Sequence, residues 1–121
     1  MQLALYPTRD QIQALLDDPA SGPVVMLNLL RFKPGGEAAY MRYADAMRRL
    51  VEARGGRFVW SGRVTDQVIG EGGKDLHVVG LVEYPSRKAF VEIATSPEVA
   101  AIAGPRAEGL EGQWLLAMTS L

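Results

Sequence analysis

Few side chains in this sequence could perform acid–base or nucleophilic chemistry. His77 is the only histidine, and the chain contains no cysteine. One chain therefore cannot assemble a Ser-His-Asp triad, an HExxH motif, a thiolate metal site or a two-histidine metal site. His77 lies at the start of a predicted strand, where it is either a structural histidine or a ligand contact or general base.

The most suggestive polar residue is Asn28, which interrupts the apolar run Val24–Phe32, VVMLNLLRF. A carboxamide among hydrophobic side chains must find hydrogen-bond partners, because an unsatisfied one costs roughly 1–3 kcal/mol. Asn28 either bonds a neighbouring strand end or a water, or it points into a cavity and polarises a carbonyl, as oxyanion-hole amides do. The sequence leaves both roles open.

Three aromatic residues are candidates for lining a ligand pocket. Trp60 and Trp114 lie on different predicted strands, so they either share a pocket or belong to the core or to a dimer interface. Tyr43 belongs to the apolar stripe of a predicted helix, which favours a place in the core.

Charged residues on the predicted strands offer another kind of contact. Arg31 closes one strand and Glu83 another, so we expect them to pair at one end of the sheet. Regular alternation along the second predicted strand places Phe58 and Trp60 on one face and Arg63 on the other. If the open sheet face forms a cavity, one of these arginines could hold a carboxylate through a two-pronged contact.

These side chains lie on predicted elements that follow the order β-α-β-β-α-β after a short N-terminal helix. Thr8 and Gln11 form a capping-box pattern that predicts the start of that helix, and Pro19 ends it. Alternation of side chains marks the strands, whereas three- and four-residue spacings mark the helices. The predicted strands are 24–32, 57–69, 76–84 and 110–119, and the two main helices are 37–54 and 86–95. A break at Gly104-Pro105 predicts a short turn before the last strand.

This order is that of the split βαβ, ferredoxin-like fold, an α+β architecture with two helices on one face of a four-stranded antiparallel sheet. Right-handed crossovers place Val24–Phe32 in the interior of the sheet, which agrees with its hydrophobic residues on both alternating faces. The helices of one small chain can cover only one face. We therefore expect the other face to pack against a second copy, which would form a homodimer.

Length and composition exclude several classes of protein. With 121 residues the chain forms one predicted domain, residues 1–121, in which residues 1–20 are an N-terminal arm and helix. The net charge of −1 argues against nucleic acid as a partner. The sequence shows no secretory signal and no apolar stretch of membrane-helix length, and the lack of cysteine fits a reducing compartment. We therefore expect no membrane association and a cytoplasmic location.

Four segments together resemble a known family. They are VVMLNLLRFKPGGEAAYMRYADA, RGGRFVWSGRV, LVEYPSRKAFVEIATSPE and the closing LEGQWLLA. In this combination they resemble the small bacterial domain-of-unknown-function family DUF1330, which belongs to the dimeric α/β-barrel superfamily. The resemblance covers nearly the whole chain from about Val24 onward. It implies a ferredoxin-like protomer whose sheet pairs with that of a second copy to form a barrel, with a cavity between sheet and helices.

The resemblance also implies a range of activities, because cavities in this superfamily serve cofactor-independent monooxygenases, isomerases, cyclases, haem-degrading enzymes and simple ligand binders. Leu76-His77 and Pro105 depart from the family pattern, in which members carry a Trp-Asp pair and a histidine at these places. If those residues serve a reaction in relatives, this protein has lost or altered it. The positions that match the family are Asn28, Tyr43, Trp60, Gly62, Glu83, Tyr84, Pro85, Ser86 and Arg106.

Three functions remain open from the sequence. The first is a homodimer that binds a small organic molecule near Asn28, Trp60 and Arg106, and that transforms it, if at all, without a metal or an organic cofactor. In this hypothesis Asn28, with Arg106 or Arg63, polarises or anchors an oxygen of the ligand, and the tryptophans exclude water. The second is a cofactor-free monooxygenase or a haem-handling enzyme, for which His77 would be the axial ligand. The third is a non-catalytic interaction or stress-associated module.

Overall fold

The computed structural model describes residues 2–121 as a four-stranded sheet with helices packed on one side. No helix in this range is both long and apolar enough to cross a membrane. A short 3₁₀ turn, Gly73–Asp75, precedes the third strand. In chain order the elements are α1 (Arg9–Asp17), β1 (Val24–Phe32), α2 (Glu37–Ala53), β2 (Arg57–Arg63), β3 (Val78–Tyr84), α3 (Arg87–Ala94), α4 (Pro97–Ile102), α5 (Gly104–Gly109) and β4 (Leu110–Met118).

The sheet has the strand order β2-β3-β1-β4, and each neighbouring pair is antiparallel. This confirms the predicted ferredoxin-like order. β1 lies in the interior between β3 and β4, as its hydrophobic residues on both faces predict, and its bounds match the predicted range 24–32.

One side of the sheet packs against the helices and forms part of the hydrophobic core. Residues that face each other across antiparallel strands place their side chains on the same side of the sheet. Met26 lies opposite Val82 and Leu30 opposite Val78, and all four are buried beneath the helices. On this helix-facing side Asn28 is the polar residue of β1, and it is only half-buried.

The other side of the sheet, here called the open face, carries apolar side chains with no helix over them in the described part of the chain. Leu27 lies between Leu81 and Leu116, and Trp60 of β2 extends this row. Trp60 is 61% exposed and Leu116 is 47% exposed. The apolar residues that the strand register assigns to the open face are Val25, Leu27, Leu29, Trp60, Val79, Leu81, Trp114, Leu116 and Met118.

Residues 2–6, here called the N-terminal arm, extend the sheet beyond β4. Ala4 N donates to Gln113 O at 3.2 Å, and Gln113 N donates to Ala4 O at 2.9 Å. After the arm, Thr8 and Gln11 form the predicted capping box and start α1. Two hydrogen bonds therefore tie the chain's start to the sheet edge next to the helices.

The second strand differs from the prediction in its length and in the sheet face to which its side chains point. β2 ends at Arg63 rather than at residue 69, because the chain then leaves the sheet as an exposed loop. Phe58 and Trp60 pair with consecutive residues of β3, so Val59 is the extra residue of a β-bulge. The bulge reverses the alternation: Phe58 faces the helices, whereas Trp60 faces the open side. The predicted common face for Phe58 and Trp60 is wrong for this reason.

The predicted pair between Arg31 and Glu83 is also wrong, because the antiparallel register places Glu83 opposite Val25, at the far end of β1. Each residue has another partner. Arg31 Nε lies 2.8 Å from Glu111, and Arg57 Nε lies 3.3 Å from Glu83.

The segment before β4 is more helical than predicted. A turn was expected after Gly104 and Pro105, but the chain forms α5, with Pro105 in its first turn, where a proline sacrifices no helical hydrogen bond. α5 also approaches α2 very closely, since a β-carbon placed on Gly109 would lie 2.2 Å from the carbonyl oxygen of Gly36. This contact fixes α5, and the residues it carries, against the start of α2.

Candidate functional site

A cavity lies between the helix-facing side of the sheet and the helices, and its total volume of about 1380 Å³ includes space beside the open-face residues Trp60, Leu81, Trp114 and Leu116. Most of its lining is apolar, and the exposed Leu115 and Ala117 of β4 belong to it, so the cavity opens to solvent. Its apolar wall includes Met26, Leu30, Met47, Phe58, Val82 and Leu115. A space of this kind suits a small organic molecule with a hydrocarbon body.

Three polar side chains form a chain of hydrogen bonds along this cavity. Arg106 Nη2 donates to Gln113 Oε1 at 2.9 Å, and Gln113 Nε2 donates to Asn28 Oδ1 at 3.4 Å. Asn28 Nδ2 donates to two backbone oxygens, those of Met26 and Gly80, both at 3.4 Å. All three contacts of Asn28 are longer than the usual 2.7–3.2 Å of such bonds, so its amide is only weakly engaged.

The position of Asn28 follows from the register of the sheet. It lies at the middle of β1, opposite Gly80 of β3 and Leu115 of β4. Gly80 has no side chain, and a β-carbon placed there would come no nearer than 4.0 Å to the β-carbons of Asn28 and Ser61. The glycine therefore leaves room beside the amide, on the side that faces the cavity.

Two tyrosines of α2 face the same cavity. The rings of Tyr40 and Tyr43 have centroids 5.5 Å apart, and within residues 2–121 neither hydroxyl has a hydrogen-bond partner. Burial raises the pKa of both hydroxyls, and the positive charge of Arg106 opposes this only in part. Both side chains are therefore neutral at physiological pH and act as hydrogen-bond donors, not as bases.

Residues of the N-terminal arm also contact Arg106. Arg106 Nη2 donates to the backbone oxygen of Leu5 at 2.5 Å, and the guanidinium lies over the Tyr6 ring, 5.4 Å from its centroid. Trp114 Nε1 donates to the backbone oxygen of Gln2 at 2.7 Å, which ties the first residue of the arm to β4.

The structure brings three of the predicted site residues together at the helix-facing side of the sheet, where the cavity lies: Asn28, Tyr43 and Arg106. Trp60 and Trp114 also belong to its lining, but the strand register places their side chains on the open face, on the other side of the sheet from Asn28. Gln113, Tyr40 and the arm residues Leu5 and Tyr6 were not predicted. A polar residue within the alternating pattern of β4 is the signal that could have indicated Gln113.

Three predicted residues, Arg63, His77 and Glu83, do not line the cavity. Arg63 forms a two-pronged ion pair with Glu37, with N–O distances of 2.6 and 2.9 Å, and Glu83 pairs with Arg57. The Arg63 side chain, through its hydrogen bonds, holds the pKa of the Glu37 carboxyl below its usual range. These charges are therefore used in surface ion pairs.

His77 lies just before β3 rather than within it, and it borders a separate cleft with Arg63 and Glu37. Its Nδ1 accepts a hydrogen bond from the backbone N–H of Phe32 at 3.0 Å, so its neutral form carries the proton on Nε2. Its ring packs 5.8 Å from that of Phe32. Both contacts tie the ring to the end of β1.

Metal binding finds no support in the part of the chain that is described, since residues 2–121 hold no group of three or more His, Asp or Glu side chains able to bind an ion.

Comparison with known proteins gives one family match. Residues 29–119 match the family model described as "Domain of unknown function (DUF1330)". No curated protein matches the sequence.

Several solved structures are similar. A protein of unknown function from Rhodopseudomonas palustris, RPA0582, is 28% identical, with a TM-score of 0.87 over 99% of this chain and 98% of that chain. A dimeric ferredoxin-like protein of unknown function from Jannaschia is 13% identical, with a TM-score of 0.62 over 82% of this chain and 100% of that one. SnoaB, a cofactor-independent oxygenase from Streptomyces nogalater, is 17% identical, with a TM-score of 0.55 over 84% and 95%.

Proposed function

The chain belongs to the DUF1330 family, and from this premise we propose that the protein is a homodimer that binds a small organic molecule in the cavity between its sheet and its helices. The observation that carries the proposal is the weakly engaged amide of Asn28 in a largely apolar cavity. Its contacts of 3.4 Å leave it free to exchange them for a better oxygen or N–H partner on a ligand.

Polar groups that converge on one space support this proposal. Beside Asn28 stand the hydroxyls of Tyr40 and Tyr43 and the guanidinium of Arg106, all on the cavity lining. Such groups give orientation and specificity, whereas the apolar wall provides most of the binding energy. If a reaction takes place, an amide and two neutral hydroxyls can stabilise negative charge that develops on a substrate oxygen.

A ligand screen by thermal shift, with phenols, naphthols and carboxylic acids, tests the binding function. We expect at least one compound to raise the melting temperature of the wild type and to lose most of this effect in Asn28→Ala. Gln13→Ala is the matched control, because Gln13 is an exposed amide of α1 outside the cavity, bonded to Asp17 at 2.8 Å. A protein that no compound stabilises, or an Asn28→Ala variant that binds as the wild type does, would contradict the proposal and favour a non-catalytic interaction module.

The open face supports the homodimer. Monomeric proteins rarely leave a continuous apolar patch of several hundred Å² exposed, and this face carries apolar side chains on all four strands. The ion pairs Arg31–Glu111 and Arg57–Glu83 stand toward the two ends of the strands, where an interface ordinarily has its polar rim. A second copy of the same sheet would present a surface of the same chemistry.

Light scattering coupled to size exclusion measures the assembly. We expect twice the chain mass of 13.2 kDa for the wild type and a shift toward the single-chain mass for Leu116→Asp, which places a charge on the open face. Ala101→Asp, on the exposed surface of α4, is the control and should keep the wild-type mass. A well-folded wild type that elutes at the single-chain mass would exclude the dimer.

A cofactor-independent oxygenase is the alternative function, and the similarity to SnoaB favours it. It adds reaction with dioxygen to binding in the same cavity. An oxygen electrode with naphthols as substrates tests it: consumption that depends on wild-type protein and falls in Asn28→Ala would support it. The haem alternative has no comparable support, because His77 lies outside the cavity. An absorbance titration with haemin on wild type and His77→Ala would reveal any such binding.

A further inference from the structure

We propose that the ligand of this cavity is an anion, an apolar carboxylate of aromatic size, and that its carboxylate takes the place that the Leu5 carbonyl holds on Arg106. This inference rests on the proposed function, because it assigns the charge of the ligand in the same cavity.

The first argument is that Arg106 has no counter-charge. The guanidinium is half-buried, and within residues 2–121 no Asp or Glu forms an ion pair with it. Its acceptors are the neutral oxygens of Leu5 and Gln113. The arginines that do have carboxylate partners are Arg31, Arg48, Arg54, Arg57, Arg63 and Arg87.

A half-buried cation with no acidic partner in residues 2–121 favours an anion over a neutral ligand, because an anion restores part of the electrostatic stabilisation that the guanidinium loses when it leaves water. The other charged residues on the cavity lining, Asp45 and Arg48, are exposed and therefore well solvated. Arg106 is thus the group by which the cavity can discriminate ligand charge.

The second argument is the geometry of the guanidinium. A carboxylate binds arginine best through two parallel N–H groups, and both such edges pass through Nη2, once with Nε and once with Nη1. In the structure the two N–H bonds of Nη2 go to Leu5 and Gln113, while Nε and Nη1 have no acceptor in the described part of the chain. Removal of one acceptor therefore frees a complete two-pronged edge.

Leu5 is the acceptor that can leave. Gln113 is fixed in β4 by pairing with both β1 and the arm. Leu5 belongs to the arm, whose backbone pairs with the sheet through a single bridge, at Ala4, and whose other ties are the Trp114–Gln2 hydrogen bond and the packing of the Leu5 side chain against the core. A carboxylate that replaces the Leu5 oxygen would exchange a neutral acceptor for a charged one. Its hydrocarbon body would lie along Met26, Met47, Phe58 and Leu115.

Matched ligands that differ only in charge test the inference without any variant. Naphthoate and its neutral isostere naphthamide are titrated calorimetrically into the wild type. We expect naphthoate to bind roughly tenfold or more tightly, as charge-assisted hydrogen bonds do relative to neutral ones. Arg106→Gln should lose this preference, whereas Arg49→Gln should keep it, because Arg49 is an exposed arginine of α2 outside the cavity lining.

Displacement of the arm has its own signal. The indole N–H of Trp114 donates to Gln2 O, whereas Trp60 lies on the open face, away from the arm. In proton–nitrogen correlation spectra, naphthoate should shift the Trp114 indole signal and leave the Trp60 indole signal in place. Naphthamide should shift the Trp114 signal less than naphthoate does.

Each outcome decides a different point. Equal binding of naphthoate and naphthamide, or an Arg106→Gln variant that folds and keeps the preference, overturns the anion while the cavity's binding function stands. Binding of naphthoate with an unmoved Trp114 signal overturns the exchange with Leu5. If neither compound binds, the binding function and this inference both fail.

Discussion

The Trp60 indole lies directly over Gly62, two residues further along β2. A β-carbon placed on Gly62 would fall 2.3 Å from Cη2 and 2.8 Å from Cζ2 of that indole. Both residues belong to the open face. Because Gly62 has no side chain, the exposed Trp60 indole can lie flat against the sheet at this position.

Gly62→Ala should therefore lift Trp60 from the sheet. Because the indole is 61% exposed, it can move with little loss of protomer stability. A displaced tryptophan within the interface of the proposed dimer weakens association more, and we expect the dimer dissociation constant to rise roughly tenfold. Sedimentation of a dilution series measures it. An unchanged constant, with a changed tryptophan emission, would show that Trp60 is not part of the interface.

The contact between Gly36 and Gly109 predicts a large loss of stability. In Gly109→Ala the new methyl group meets the Gly36 backbone at 2.2 Å, and backbone cannot move aside as a side-chain end can. We expect the free energy of unfolding to fall by about 2 kcal/mol or more in urea denaturation. Gly104→Ala, at the other end of α5 with nothing within 4 Å, is the control and should be nearly neutral. Similar losses in both variants would indicate a general effect on α5.

Asn28→Leu separates binding from stability. The amide makes only hydrogen bonds of 3.4 Å, so its replacement by an apolar side chain of similar size should raise the free energy of unfolding by roughly 1 kcal/mol. The same change should reduce ligand affinity at least about tenfold, since it removes the central polar group of the cavity. Denaturation and calorimetry on the same samples measure both. A less stable variant would identify Asn28 as a structural residue.

The ion pair between Arg63 and Glu37 predicts a pH dependence. The Arg63 hydrogen bonds keep the Glu37 pKa below its usual 4.5 in the folded protein, so the pair stabilises the fold above that pH. This contribution disappears as the pH falls through the lowered pKa. Glu37→Gln should thus be slightly less stable than the wild type at pH 7, by a small amount because the pair is exposed, and equally stable in strong acid.

Melting temperatures recorded across the acid range would show the two curves converging. Glu71→Gln removes an exposed carboxylate that has no ion pair in the described part of the chain, and it should follow the wild type throughout. A gap between wild type and Glu37→Gln that widens toward low pH would contradict the assigned direction.

The fold was largely predictable because its signals are local. The range of β1, the capping box at Thr8 and the caps at Ser86 and Ser96 follow from neighbouring residues alone. The bulge at Val59 was not predictable in this way, because a strand with one extra residue shows the same alternation on each side of it as a regular strand.

The site was predictable only in part, because its geometry depends on residues far apart in sequence. Asn28 stood out within an apolar strand, but Arg106 meets Leu5 across 101 positions. Arg63 and His77 are residue types that often serve in functional sites. In the structure, however, Arg63 pairs with Glu37, and His77 accepts a hydrogen bond from the backbone N–H of Phe32. Charge and residue type therefore indicated candidate site residues, and their hydrogen-bond and ion-pair partners in the structure show which of them are available to a ligand.

The arm at Ala4 also determines how this sheet can grow. An exposed edge strand can pair with a strand from another molecule, and this is a route to aggregation. Here the arm pairs with the edge strand β4 at one point, Gln113, and the bulge at Val59 distorts the edge strand β2. Neither edge offers a long regular ladder to an added strand, so open-ended fibre growth through strand addition is disfavoured.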